Sequence, residues 1–185
     1  MIDKAMKRAS SKDFVGCKEF VLEFRGPSRV GLIVEGLAPT LGMLGSDVGQ
    51  IMRKAGCGRE TGVLQMFDRL GLVTARGDDG VDLDQAEELA IECEANEVEE
   101  AGTDEDDKRV FVFLCEPQTL FQVRGALEKT GKVEVMSAET RYEPRVMAEV
   151  PGGTKRAMEE LVERLKNECS SVVAVYHNCL VVKKR

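Results

Sequence analysis

Glu19-Phe20-Val21-Leu22-Glu23-Phe24-Arg25-Gly26-Pro27-Ser28-Arg29-Val30-Gly31-Leu32-Ile33-Val34-Glu35-Gly36-Leu37 is the stretch on which the fold turns. Phe20, Leu22 and Phe24 alternate with Val21, Glu23 and Arg25, the period-two pattern of a half-buried strand. Gly26-Pro27-Ser28 supplies the turn, and Val30 to Leu37 returns as the second strand of a hairpin. Downstream, Leu44, Val48, Ile51 and Met52 fall at helical spacing within Leu41 to Ala55. Gly56 stands where a helix C-cap belongs. Val63 to Phe67 and Leu72 to Ala75 read as a third strand and its extension, interrupted by Arg69-Leu70-Gly71.

The next region changes character. Asp82 or Asp84 is placed to cap a helix whose stripe is Ala86, Leu89, Ala90 and Cys93. A short acidic strand around Val98, a turn over 102–107 and the apolar strand Val110 to Leu114 follow. Pro117 opens a helix carrying Leu120, Val123 and Leu127, and Val133, Val135 and Ser137 alternate as a strand. After the extended piece Met147 to Val150 comes the clearest amphipathic helix, with Ala157, Met158, Leu161, Val162, Leu165 and Cys169 on one face. Ser171 to Val175 and Leu180 to Val182 close the chain as strands. Without strict strand–helix alternation, antiparallel α+β is the class expected. Ile2, Ala5, Met6 and Ala9 fit one amphipathic helical stripe at the start.

Charge draws the same division. The 185 residues carry a net charge of −7. Residues 82–109 alone hold 13 acidic and 2 basic side chains, so the rest carries a net +4. Charges act over about 8–10 Å in physiological salt, so a basic face can meet phosphate despite the overall sign. Apolar residues make up 43%, and no apolar run approaches the roughly 20 residues a membrane helix needs. The six cysteines form no Cys-x-x-Cys pair and lie mostly in apolar patterns, the usage of buried thiols in a reducing compartment. Residues 4–12 have a composition faintly like a transit peptide, which Asp3 and Asp13 weaken.

Chemical motifs are few. His177 is the single histidine, and with Cys179 it offers two ligands where zinc wants four. One histidine also disfavours Ser-His-Asp or Cys-His catalysis, and no other general base is singled out. Gly56 to Gly62 lacks the Gly-Lys-Ser/Thr of a P-loop and follows a helix rather than opening one, so it reads as a C-cap and hairpin turn. Phe111 and Phe113 sit two apart on one strand, as RNA-stacking aromatics do, but flanking Val110, Val112 and Leu114 make them core. Asp104 to Asp107 are consecutive, unlike calcium ligands, and read as a solvated turn. The basic residues outside the acidic block, Lys155, Arg156, Lys183, Lys184 and Arg185 among them, form the set available for phosphate contact.

Taken in order, several segments resemble the YebC-like family, which includes the mitochondrial translational activators of cytochrome c oxidase. Glu19 to Pro27 with Gly31 to Glu35 resembles the family's glycine-rich hairpin. Asp47-Val48 through Gly56 resembles its helix ending in a Lys-x-Gly turn, and Phe67-Asp68-Arg69-Leu70-Gly71 its Phe-x-Lys/Arg-x-Gly element. Lys108 to Phe113 and Gln122-Val123-Arg124 are similar to the mitochondrial branch. Val175-Tyr176-His177-Asn178 matches the family's C-terminal signature. Three departures stand out. Only Ile2 to Ala9 resembles the family's first, helical domain, which holds much of the family's RNA-facing surface. Gly-Pro-Gly-Gly is replaced by Gly26-Pro27-Ser28-Arg29, a stiffer and charged turn. Arg141-Tyr142-Glu143-Pro144 replaces a more apolar tripeptide ending in proline.

The expectation is therefore an α+β protein of two ferredoxin-like antiparallel α/β domains, one inserted in the other, with a remnant N-terminal helix. Its domains are expected at 1–13, at 14–80 with 145–185, and, as the acidic insertion, at 81–144. The resemblance implies a non-catalytic translation factor of the mitochondrial matrix, or of the cytoplasm if bacterial, that supports synthesis of cytochrome c oxidase subunit I. It implies the ribosome, ribosomal RNA or mRNA as partner, with no cofactor, metal, membrane or small-molecule substrate. Lys4, Lys7, Arg8, Arg25, Arg29, Arg53, Lys54, Arg59 and Arg69 are the candidate nucleic-acid-binding residues. A DNA-binding transcriptional regulator, the role of some bacterial relatives, and a ribosome-associated structural protein without RNA function are the alternatives.

Overall fold

The structure is a computed structural model that describes residues 16–77 and 80–181. The N-terminal helix read over Ile2 to Ala9, the basic residues Lys4, Lys7 and Arg8, and the C-terminal Lys183, Lys184 and Arg185 lie outside the described residues. In chain order the elements are β1 (Lys18–Arg25), β2 (Gly31–Ala38), α1 (Leu41–Lys54), β3 (Gly58–Arg59), β4 (Phe67–Gly77), α2 (Leu83–Glu92), β5 (Glu97–Thr103), β6 (Arg109–Cys115), α3 (Leu120–Thr130), β7 (Val133–Pro144), β8 (Ala148–Val150), α4 (Gly152–Glu168), β9 (Val172–His177) and β10 (Cys179–Val181). They form two units. An outer one comprises 16–68 and 143–181, and an inserted one is Arg69–Tyr142.

The outer unit is built on the hairpin. β1 and β2 pair antiparallel from Lys18↔Ala38 to Arg25↔Gly31. They are the central strands of the sheet β3-β1-β2-β9. Leu22, Phe24, Leu32 and Val34 are buried with Leu44, Val48 and Met52 of α1 and Met158, Leu161 and Leu165 of α4 in one apolar cluster. Thr40 Oγ1 accepts from the Met43 amide at 3.3 Å and starts α1. The helix approaches β2 so closely that a Cβ at Gly36 would overlap Leu44 and come within 2.6 Å of the Ser171 carbonyl, a spacing only glycine permits. α1 ends on Gly56 at φ +72°, the left-handed terminator expected from the sequence.

The inserted unit runs β4-α2-β5-β6-α3-β7 with sheet order β5-β6-β4-β7. That is the ferredoxin-like β-α-β-β-α-β arrangement. A reciprocal capping box of Asp82 and Gln85 opens α2, and Gly131 at φ +66° ends α3. Phe111 and Phe113 are fully buried among Val73, Ala75, Leu89, Val123 and Leu127, so these aromatics are core, as read from their apolar neighbours.

Three local readings are corrected. The stretch read as two strand pieces broken at Arg69-Leu70-Gly71 is one 11-residue strand, β4. It pairs with β6 from Gly71↔Cys115 to Arg76↔Val110 and supplies the first strand of the inserted sheet. Gly71 is there for close approach, not for a turn: a Cβ would meet Cys115 Sγ at 2.8 Å. The strand read over Val63 to Phe67 is absent except for Phe67, which opens β4. Leu64–Met66 forms a 3₁₀ turn, drawn in because Glu23 Oε2 accepts the Leu64 amide at 2.8 Å. And β8 pairs with β10 in parallel, an exception to the antiparallel pattern.

The outer unit is discontinuous in sequence, and backbone bonds close it. The Met66 carbonyl, where the chain leaves, accepts the amides of Arg145 at 2.9 Å and Val146 at 3.1 Å, where it returns. Asn178, fully buried, does the rest. Its Oδ1 accepts the Gly31 amide at 2.8 Å, and its Nδ2 donates to the Val146 carbonyl at 2.8 Å. Its backbone carbonyl accepts the Ala148 amide at 2.8 Å. One side chain thus ties the hairpin, the returning segment and the C-terminal strands together. Asn178→Ala leaves a buried amide and a partly buried carbonyl unpaired, and unfolding in urea should show a loss of roughly 1.5–4 kcal/mol. A loss below about 1 kcal/mol would mean that water replaces both bonds.

Candidate nucleic-acid interface

Five of the candidate basic residues belong to the outer unit. Arg25 is the last residue of β1, and its guanidinium is fully engaged. Nε donates to Glu60 Oε1 at 3.0 Å, and Nη1 donates to the Arg29 carbonyl at 3.1 Å and to Met66 Sδ at 3.1 Å. Its side chain retains 24% exposure. Arg29 is exposed on the turn between β1 and β2. There Ser28 (φ 56°) and Arg29 (φ 62°) occupy consecutive left-handed conformations, which disfavour residues with a Cβ by roughly 1–2 kcal/mol each.

This turn rests against the C-terminal end of α1. A Cβ at Gly26 would come within 3.2 Å of Cys57 Sγ, and one at Gly56 within 3.7 Å of Pro27 Cγ. Arg53 and Lys54, both exposed, form the last turn of that helix, where cations offset the partial negative charge of the free carbonyls. Arg59 sits opposite Phe24 on β3. Its Nη1 lies 3.3 Å from where a Cβ on Gly45 would be, so it runs along α1. Among the described residues, Arg29, Arg53, Lys54 and Arg59 have no carboxylate within ion-pair distance. The turn that carries Arg29 thus touches the end of α1 that bears Arg53 and Lys54, with Arg59 leading away along the helix.

Other basic residues are placed differently. Arg69 belongs to the inserted unit, where Nη2 donates to Thr140 Oγ1 at 3.3 Å and the guanidinium stacks 5.7 Å from the Tyr142 ring centre. On α4, Lys155, Arg156 and Arg164 pair with Glu159, Glu160 and Glu168 one turn on. The hydrogen bond from Arg164, aided by the more distant charge of Lys54, holds Glu168 below the ordinary carboxylate range. Glu60, which occupies Arg25, was not legible in the sequence. It reaches Arg25 only because β3 pairs with β1, and no local pattern marks it.

Asp104 organises the acidic turn. Its Oδ1 accepts the amides of Asp106 at 2.9 Å and Lys108 at 3.0 Å, and Oδ2 accepts from Arg76 at 3.1 Å. The Lys108 amide foremost, and Arg76 with it, lowers its pKa. Among the described residues no three His, Cys, Asp or Glu side chains converge as a metal site. Cys57, Cys93, Cys115, Cys169 and Cys179 are free and buried, and burial raises each thiol. His177 is half-buried, and its Nδ1 accepts the Cys179 amide at 3.3 Å. Burial pushes its pKa below 6.5, with Glu159 opposing and Lys155 assisting.

Residues 17–179 match the family described as "TACO1/YebC second and third domain". The translational activator of cytochrome c oxidase 1 of Rattus norvegicus is 29% identical over 181 residues, covering 96% of this chain and 59% of the relative. A probable transcriptional regulatory protein of Thermoanaerobacter pseudethanolicus is 27% identical over 180 residues, covering 96% of this chain and 70% of the relative. The chain thus spans little more than half the length of the rat protein. A conserved hypothetical protein from Aquifex aeolicus shares the fold with a TM-score of 0.70 at 23% identity, over 91% of this chain and 67% of that one.

His177 makes stability pH-dependent in a defined direction. Its folded pKa lies below 6.5, so as pH falls below 6.5 the unfolded chain takes up the proton first and the fold loses stability. Urea midpoints should therefore decline between about pH 6.5 and 5, and His177→Asn should flatten that decline. Asp104 and Glu168, with lowered pKa values, act at lower pH. An unchanged slope in the variant would show that the imidazole stays neutral or solvated throughout.

Proposed function

Because this chain belongs to the TACO1/YebC family, through that family's second and third domains, we propose that it is a non-catalytic translation factor of the mitochondrial matrix. In this reading it engages the ribosome or its RNA and supports synthesis of cytochrome c oxidase subunit I. The observation that carries it is the match of 96% of the chain to a relative named as a translational activator of cytochrome c oxidase 1. The exposed Arg29, Arg53 and Lys54, free of carboxylate partners among the described residues, supply a physical means. Exposed cations neutralise backbone phosphates and release their counterions. Such contacts read shape and charge rather than base sequence. Of the sequence candidates, Arg29, Arg53, Lys54 and Arg59 are the direct contacts in this proposal, and Arg25 acts through Arg29.

The name of the Thermoanaerobacter relative motivates a second reading, transcriptional regulation by duplex DNA binding. Among the described residues no two α-helices follow one another without a strand between, as a helix-turn-helix requires. A ribosome-associated role resting on protein contacts alone is the third reading. Binding that survives high salt and RNA removal would favour it.

Co-sedimentation with mitochondrial ribosomes separates these. Four phosphate contacts imply a log–log salt slope of about −3, hence roughly 50-fold weaker binding at 200 than at 50 mM salt. Replacing Arg53, Lys54 or Arg59 singly by Ser should reduce the slope by about 0.7–0.9 each. Failure to co-sediment even at low salt, or preference for a DNA duplex over ribosomal RNA, removes the translational reading.

A further inference from the structure

We propose that the turn over Pro27–Arg29 is a built phosphate-contact device, in which a backbone conformation unfavourable for its own residues displays Arg29 and Arg25 acts as the prop behind it. The inference rests on the translational reading above and narrows the contact to one element of it.

Four observations carry the inference. Ser28 and Arg29 are both exposed and both left-handed, at φ 56° and 62°. Glycine adopts that conformation without penalty, and the chain has 18 glycines, several at other left-handed positions. Here it uses a serine and an arginine instead. Left-handed residues with side chains persist where the surroundings over-determine them, and they cluster at binding sites. The surroundings here do so. The Gly26 amide donates to the Val30 carbonyl at 2.8 Å, and the Val30 amide donates to the Pro27 carbonyl at 3.2 Å. Pro27 fixes its own φ and lies over Gly56.

Arg25 completes the support. Glu60 holds its fork from one side, and Nη1 donates to the Arg29 carbonyl at 3.1 Å from the other. A guanidinium spent on Glu60 and on a backbone oxygen is a poor phosphate ligand. It fixes the peptide that carries Arg29. Arg29 itself has no carboxylate partner among the described residues, and the turn that carries it touches, through Pro27, the Gly56 end of α1. A side chain carried on a fixed backbone has only its own rotamers to lose on contact, less than one on a mobile loop. RNA phosphate is the occupant favoured by the exposed charge of Arg29, which no carboxylate among the described residues offsets at ion-pair distance.

The test uses the full chain, intact mitochondrial ribosomes, and ribosomal RNA extracted from them. Arg29→Gln keeps the backbone penalty and removes the charge. Its urea midpoint should match the parent while ribosome affinity falls about tenfold, the loss of one charged hydrogen bond, and the salt slope drops by nearly one. Arg29→Lys should keep most of the affinity, because a phosphate accepts a point charge. Arg29→Gly should unfold at higher urea than the parent yet bind as weakly as Arg29→Gln. Arg25→Met should weaken binding in the parent but add nothing in the Arg29→Gln background, the non-additivity of a prop acting through what it supports.

A parent chain that does not bind ribosomes overturns the translational reading and this inference with it. A parent that binds while Arg29→Gln binds equally well overturns this inference alone. So does an Arg29→Gln defect on intact ribosomes that is absent on the extracted RNA, which would assign the contact to an acidic protein.

Discussion

The outer unit depends on closing a gap in its own sequence. Its hairpin and first helix are made before the inserted residues, and its last helix and strands after them, with more than seventy residues between. Joining the two halves costs loop-closure entropy, but that cost grows only logarithmically with the length looped out. The bonds at the junction are few, and the one from Gly31 to Asn178 is buried. Met66 receives both returning amides, and Asn178 receives Gly31 while donating to Val146. Asn178 can do this because a carboxamide carries a donor and an acceptor on one short side chain. The resemblance to a Val-Tyr-His-Asn signature thereby gains a physical content: its asparagine is structural.

The apolar core and the exposed cations occupy different parts of the same unit. The apolar cluster that unites β1, β2, α1, α4 and β9 contains the hydrophobic residues and no charged group. The exposed cations sit on its margin, at the end of α1 and on the first turn. That separation lets the margin carry an unfavourable backbone conformation at Ser28 and Arg29 without disturbing the packing beneath. Two backbone bonds close that turn, and the Arg25 guanidinium, held by Glu60, donates to its Arg29 carbonyl.

Charge is partitioned by topology. The carboxylates of 82–109 fall within one ferredoxin-like unit, on α2, β5 and the Asp104 turn. Because screening limits each charge to about a Debye length, the net −7 of the whole chain says little about the surroundings of Arg29, Arg53 and Lys54.

The sequence by itself determined what depends on neighbours within a turn or a hairpin. The β1–β2 pairing, α1 with its Gly56 end, an acidic cap at Asp82 or Asp84, the amphipathic α4 and the burial of Phe111 and Phe113 all follow from local periodicity and turn chemistry. The acidic insertion was visible as a run of charge, and the mixed α+β class followed from the order of elements. Only the tertiary structure decided which sheet owns Leu72 to Ala75, because alternation marks a strand but not its partner, and Gly71 looks the same as a turn or as a close contact with Cys115. Only it paired β8 with β10 and brought Glu60 to Arg25. It also separated Arg69 into the inserted unit. The reason is common to all of these: periodicity is a property of one segment, whereas pairing and charge compensation join residues far apart in sequence, and nothing local encodes the partner.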